Sequence, residues 1–215
     1  MNILVKLPTR ERPDRFREVL GGWVRNCKRP ERVTWLFSFD MDDPSMEGFD
    51  DLPENSIVAY GASNSKVHAI NRDIPQVKTP WDVLLVLSDD MHCARSDWDE
   101  AIEADIDSPD QLLWYYDGKQ EHICTLPLMT RVYYDRFGYV YHPDYLSVFC
   151  DNEQTDVAQQ LGLLKYISTP LAVHVHPANF TGVLKDALYE RNETGKIWKR
   201  DQSTWKNRKA RNYFL

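Results

Sequence analysis

The chain has 215 residues, a formal net charge of −7, and a composition that is 42% hydrophobic and 27% charged. At about 100–200 residues per domain this is one domain, long enough to bury a core without metal or disulfide staples. The composition excludes disordered, collagen-like, coiled-coil and low-complexity chains, and no run approaches the roughly 20 apolar residues of a membrane span.

Ile3 to Leu7 is a short, mainly apolar run that reads as a buried first strand rather than a signal peptide. Pro8-Thr9-Arg10-Glu11-Arg12-Pro13 breaks it, and Pro13 suits the first turn of a helix. Phe16, Leu20, Trp23 and Val24 recur at helical spacing, which predicts an amphipathic helix over 14–26. Val33 to Phe39 is a second strand, closed by the acidic turn Asp40-Met41-Asp42-Asp43-Pro44. Ile57 to Tyr60 is a third strand, and Lys66 to Arg72 a short helix after a small-residue loop. Val83 to Leu87 carries five consecutive Val or Leu residues and gives the strongest strand signal. Ser96 reads as an N-cap, with Asp99 three residues on, for a helix carrying Trp98, Ile102 and Ile106.

Leu112 to Tyr116 and His122 to Leu128 read as strands of a hairpin around Asp117-Gly118. Thr130 to Phe137 reads as helical, Thr155 to Leu161 as a helix closed by Gly162, and Leu171 to Val175 as a last strand. Alternating strands and helices predict an α/β fold: one domain over 1–180 with a mainly parallel central sheet flanked by helices. Residues 181–215 read as a basic, aromatic C-terminal extension. From Lys185 onward there are nine Lys or Arg against four Asp or Glu, a net of +5 that leaves −12 on the body. The tail can meet phosphates, an acidic partner, a membrane surface or the body itself.

Ligands of open α/β sheets bind beyond the carboxyl ends of the strands. Three polar clusters fall there: Pro8-Thr9-Arg10, Asp40 with Asp42, and Asp89-Asp90. Adjacent carboxylates repel and call for a cation, and hard oxygen ligands suit Mg²⁺ or Mn²⁺. His174 and His176 alternate on a strand, so one or both can reach that metal. Asp151 and Glu153 precede a helix, where a carboxylate serves either as a cap or as a general base for an acceptor hydroxyl. There is no G-x-G-x-x-G, no G-x-x-x-x-G-K-[ST] and no G-x-S-x-G, which disfavours a Rossmann dehydrogenase, a P-loop NTPase and a serine hydrolase. Cys27, Cys93, Cys124 and Cys150 show no C-x-x-C pairing. That argues against a disulfide framework or zinc ribbon and for a reducing cytoplasm.

Together these residues resemble a nucleotide-sugar glycosyltransferase of the GT-A fold, most similar to the inverting family 2. The similarity runs from Ile3 to His176. Leu4-Val5-Lys6-Leu7-Pro8-Thr9-Arg10 is similar to the family's first strand and nucleotide loop, and Asp40 to its acidic residue near the base. Lys66-Val67-His68-Ala69-Ile70-Asn71 resembles its helix ending in Ala-x-Asn. Trp81 to Met91 resembles its strand running into the D-x-D motif, with Ser88 at the first position. The resemblance implies that Asp89 faces the ribose or metal, that Asp90 ligates the metal, and that His174 or His176 is the late metal ligand. It further implies a nucleotide-sugar donor, a UDP-sugar before others, bound by Pro8, Thr9, Arg10, Asp40, Asp42, Lys66, Asn71 and Asp89. Arg10 and Lys66 would stabilise the departing diphosphate, and Asp151 or Glu153 would be the base. Short transferases of this kind resemble those that modify hydroxymethylated DNA bases, which makes DNA an expected acceptor. A nucleotidyltransferase and a catalytically silent nucleotide-binding module remain as alternatives.

Overall fold

The computed structural model describes residues 1–49 and 51–215. Its centre is a seven-stranded sheet in the order β3-β2-β1-β4-β7-β6-β8. The strands are β1 (Ile3–Thr9), β2 (Val33–Asp40), β3 (Ser56–Gly61), β4 (Val83–Val86), β6 (Leu112–Tyr115), β7 (Leu128–Thr130) and β8 (Leu164–Ile167). All neighbours pair in parallel except β7, which runs antiparallel to both β4 and β6. A second, two-stranded antiparallel sheet joins β5 (Met91–Cys93) to β9 (Ala172–His174).

Alternation along the strands splits the core in two. Val5, Leu7, Phe37 and Phe39 face α1 (Pro13–Arg25), which buries Phe16, Val19, Leu20 and Trp23 against them. Leu4, Leu36, Leu84 and Met129 face the other layer, with α2 (Lys66–Asn71), α4 (Arg131–Phe137) and α5 (Cys150–Gln160). Strands covered on both faces need near-continuous apolar runs, as Val83 to Val86 has. Buried indoles find acceptors: Trp23 Nε1 donates to the Met91 carbonyl and Trp98 Nε1 to the Trp23 carbonyl, both at 2.8 Å.

Several expected boundaries move. Asp97, not Ser96, holds the N-cap position of α3 (Trp98–Asp105) and makes no side-chain cap bond. Asp99 instead accepts from the Lys28 and Arg29 amides at 2.9 and 2.7 Å, tying α3 to the end of α1. The strand expected over His122 to Leu128 shrinks to β7. The preceding loop is ordered by Asp117 Oδ1, which accepts from the Lys119 and Gln120 amides at 2.9 and 2.6 Å. The helix expected from Thr155 begins at Cys150, so Asp151 and Glu153 lie within its first turn rather than before it. β5 and β8 are strands that the periodicity did not predict.

The C-terminal segment folds onto the body as α6 (Ala187–Asn192) and α7 (Gly195–Lys209). Asp201 on α7 is fully buried and accepts from the Leu146, Ser147 and Val148 amides at 3.1, 2.8 and 3.1 Å. Arg208 grips Glu153 at 2.8 and 2.9 Å. No helix among the described residues is long and apolar enough to cross a membrane.

Candidate functional site

The carboxyl ends of β1, β2 and β4 open into a cavity of about 270 Å³. Pro8, Thr9 and Arg10 from β1, Asp40 from β2, and Asp89 and Asp90 beyond β4 line it. Lys66 enters from α2, Asp151 from α5, and His174 and His176 from the end of β9. Ten of the thirteen residues expected from the sequence therefore meet in one place.

The small sheet explains how distant residues converge. Met91 pairs with His174 in the β5–β9 ladder, and the Val175 amide donates to the Asp90 carbonyl at 2.8 Å. That register sets His174 Nε2 3.4 Å from Asp90 Oδ1. Behind the ring, His174 Nδ1 is buried without a hydrogen-bond partner, 3.7 Å from Asp117 Oδ2. Burial opposes the charge on His174, but the carboxylates of Asp117 and Asp90 outweigh it and raise the imidazole to about 9. Burial likewise works to raise Asp90, and His174 overrides it, holding that carboxyl well below the usual range. Asp117, pressed upward by burial, is brought down to about 2 by His174 and Thr125. Asp117 was legible only as half of a turn.

Asp90 and His174 fit a divalent cation. Their donor atoms sit side by side, oxygen and imidazole nitrogen, and a metal-bound histidine normally turns its other nitrogen to a carboxylate, as His174 turns Nδ1 to Asp117. No group of three or more His, Cys, Asp or Glu is arranged to hold a metal among the described residues. Two protein ligands would leave the remaining positions of such an ion to water and other oxygen ligands, the usual habit of Mg²⁺ and Mn²⁺. His176 is drawn elsewhere: its Nε2 lies 3.2 Å from Glu193 Oε1.

Asp89 is almost fully buried; its Oδ1 accepts from Arg12 Nη1 at 2.7 Å, and Thr9 Oγ1 donates to Oδ2. Burial raises its carboxyl despite those partners. Arg12 also forks onto Asp186 at 2.8 and 2.7 Å, linking Asp89 to the C-terminal segment. Arg10 is bound to Asp40 at 3.0 Å and to the exposed Asp42, which lies outside the cavity wall. Below Asp40, Lys6 is wholly buried: Nζ donates to Ser38 Oγ and to the Arg72 carbonyl, 3.8 Å from Asp73 Oδ2. Burial lowers this ammonium to about 7 against the pull of Asp73.

The two candidate bases part company. Phe149, left-handed at φ 63°, turns the chain directly into α5. Asp151 then faces the cavity, where burial raises its carboxyl and the charge of Lys66 opposes the rise. Glu153 does not reach the cavity. It is 5% exposed, ion-paired to Arg208, and accepts from Tyr145 Oη at 2.7 Å. Asn71 also points away, fixing the backbone of Val140 and Tyr141. The sequence did not single out Arg12, Asp117, Asp186 or Glu193, because each acts through partners far along the chain, nor Arg191, which reaches the cavity from the C-terminal segment.

No family model matches this chain, and no curated protein matches it. Solved structures do. TarS residues 1–349 of Staphylococcus aureus, in complex with UDP-GlcNAc, superpose with a TM-score of 0.63 at 12% identity, covering 97% of this chain and 72% of that one. The mannosyltransferase PcManGT of Pyrobaculum calidifontis, in complex with GDP-Man and Mn²⁺, gives 0.59 at 12% identity, covering 84% and 58%. A Drosophila galactosyltransferase 7 complex with manganese, UDP-Gal and xylobiose gives 0.55 at 10% identity, covering 90% and 82%. The chain spans less than two thirds of the mannosyltransferase, and 37% of a longer TarS structure. At these identities the likeness establishes the fold: the chain has the GT-A architecture of nucleotide-sugar glycosyltransferases.

Proposed function

We propose that the protein is a metal-dependent glycosyltransferase that moves a sugar from a nucleotide-diphosphate sugar, a UDP-sugar before others, to an acceptor hydroxyl with inversion. The observation that carries this reading is the placement of Asp90 and His174 side by side in the same cavity as Asp151. Solved complexes of the same fold hold UDP-GlcNAc, or GDP-Man with Mn²⁺, which supports a donor and a metal of those classes.

Asp90 and His174 would hold a divalent ion, which when bound would supply charge neutralisation for the leaving diphosphate. Arg10, Asp40 and Thr9 flank the nucleoside end, and Lys66 lies toward the phosphates. Asp151 accepts the proton of the acceptor hydroxyl. The oxygen attacks the anomeric carbon from the face opposite the diphosphate, and the bond to the diphosphate breaks with both electrons leaving on its oxygen. A base whose carboxyl is raised by burial is better matched to this task than a free one.

For the acceptor we favour a hydroxymethylated base in DNA. Lys196, Lys199 and Lys206 are exposed on α7 and lack carboxylate partners among the described residues, which suits a phosphate backbone.

The test is product release from candidate UDP-sugars with Mn²⁺, offered with and without DNA carrying hydroxymethylated bases. Asp151→Asn is expected to keep donor binding and lose turnover by about 10²-fold or more. Release of pyrophosphate from a nucleoside triphosphate would instead identify a nucleotidyltransferase. Binding without turnover of any donor would identify a silent module.

A further inference from the structure

The C-terminal segment is the roof of the cavity. Leu188, Tyr189, Arg191 and Asn192 of α6 line it, followed by Glu193 and Ile197. Three sets of contacts hold the roof in place. Arg12 forks onto Asp186, His176 meets Glu193, and Asp201 caps the loop that leads into α5. A segment anchored at three places is built to present its side chains to whatever fills the cavity.

The cations facing that space fall into two groups. Arg10 is neutralised by Asp40 and Asp42, and Arg12 by Asp89 and Asp186. Lys66 and Arg191 both line the cavity, and neither has a carboxylate within ion-pairing distance among the described residues. A nucleoside diphosphate is multiply anionic. Cations already bound to carboxylates have little to offer it, while unpaired ones have full charge and all their donors free. The sequence points to Arg10 for this role, and the pairing directs it instead to the roof.

We propose that Arg191 binds the diphosphate of the donor and, with Lys66, stabilises it as it leaves. The inference rests on the nucleotide-sugar reading and adds to it a residue and the segment that delivers it. When the bond between the anomeric carbon and the diphosphate breaks, its electron pair stays on the diphosphate oxygen. The guanidinium fork donates to the phosphate oxygens that take up this charge, an interaction stronger in the transition state than before it. The basic C-terminal segment is thereby part of the donor site.

The experiment compares UDP with UMP, and GDP with GMP in parallel, by calorimetric titration in Mn²⁺. Arg191→Ala is expected to weaken the diphosphate about tenfold, as the loss of a charge-assisted hydrogen bond does, and the monophosphate less than about twofold. Arg191→Lys should recover part of the loss, since it restores the charge without the fork. Lys78→Ala, an exposed cation outside the cavity, should change neither. With wild type binding the diphosphate, unchanged affinity in Arg191→Ala overturns this inference alone, and so does an equal loss for mono- and diphosphate. Failure of wild type to bind any of the four nucleotides overturns the nucleotide-sugar reading and this inference with it.

Discussion

Asp117 stands behind His174, its Oδ2 3.7 Å from the ring Nδ1, on the side opposite Asp90. The carboxylate is 1% exposed and is held by Thr125 and by two backbone amides, so it has no freedom to turn away. It backs the Nδ1 side of the ring, so that Nε2 would be the nitrogen offered to a cation at the proposed metal site.

Asp117→Asn is expected to lower Mn²⁺ affinity by about 10- to 100-fold, the usual penalty for losing such a partner. Titration of Mn²⁺ followed by electron paramagnetic resonance measures this directly, without turnover. Unchanged affinity would show that His174 does not ligate through Nε2.

Glu153 and Arg208 form a buried pair that ties α5 to α7. Removing one member leaves the other charged and unpaired in the interior. Arg208→Ala should therefore cost about 3–5 kcal/mol, read from urea unfolding. Glu153→Met with Arg208→Met should cost clearly less than Arg208→Ala alone. Equal losses would mean that packing, not charge, dominates the site.

Lys6 makes stability depend on pH. Its ammonium titrates near about 7 in the folded chain, against 10.5 for the free group. Between those values the unfolded chain binds more protons, so the contribution of Lys6 to stability rises as pH rises from 7 toward 10. Below 7 both states are protonated and the contribution is constant. The difference in unfolding free energy between wild type and Lys6→Met should grow with pH in favour of wild type, by at most about 1.4 kcal/mol per pH unit. A difference that stays flat from pH 7 to 10 contradicts the burial argument.

Much of the fold could be read along the chain. Val83 to Leu87 running into Ser88-Asp89-Asp90 marked both the central strand and the carboxylates at its end, because a strand buried on both faces leaves an apolar signature and its terminus a polar one. β9 was legible as the strand Leu171 to Val175, but its partner β5, three residues long, was too short to show a period of two, and their register is what brings His174 to Asp90. Glu153 looked as good a base as Asp151 because both stood just ahead of the helix expected from Thr155. Only the fold reveals that Arg208, 55 residues later, claims one of them. The roof was hidden for the same reason. Charge counting showed a basic tail, and nothing local said that Asp186 and Asp201 would fasten it over the cavity.

On the proposed reading, metal and nucleotide share one site built on Asp90. Thermal unfolding with UDP or GDP, each with and without Mn²⁺, tests it most directly, since a ligand specific to the folded state raises the melting temperature by mass action. A shared site predicts a shift with nucleotide and Mn²⁺ together that exceeds the sum of the separate shifts and is lost in Asp90→Ala. A shift with nucleotide alone that Mn²⁺ does not enlarge, or a joint shift that survives in Asp90→Ala, would contradict it.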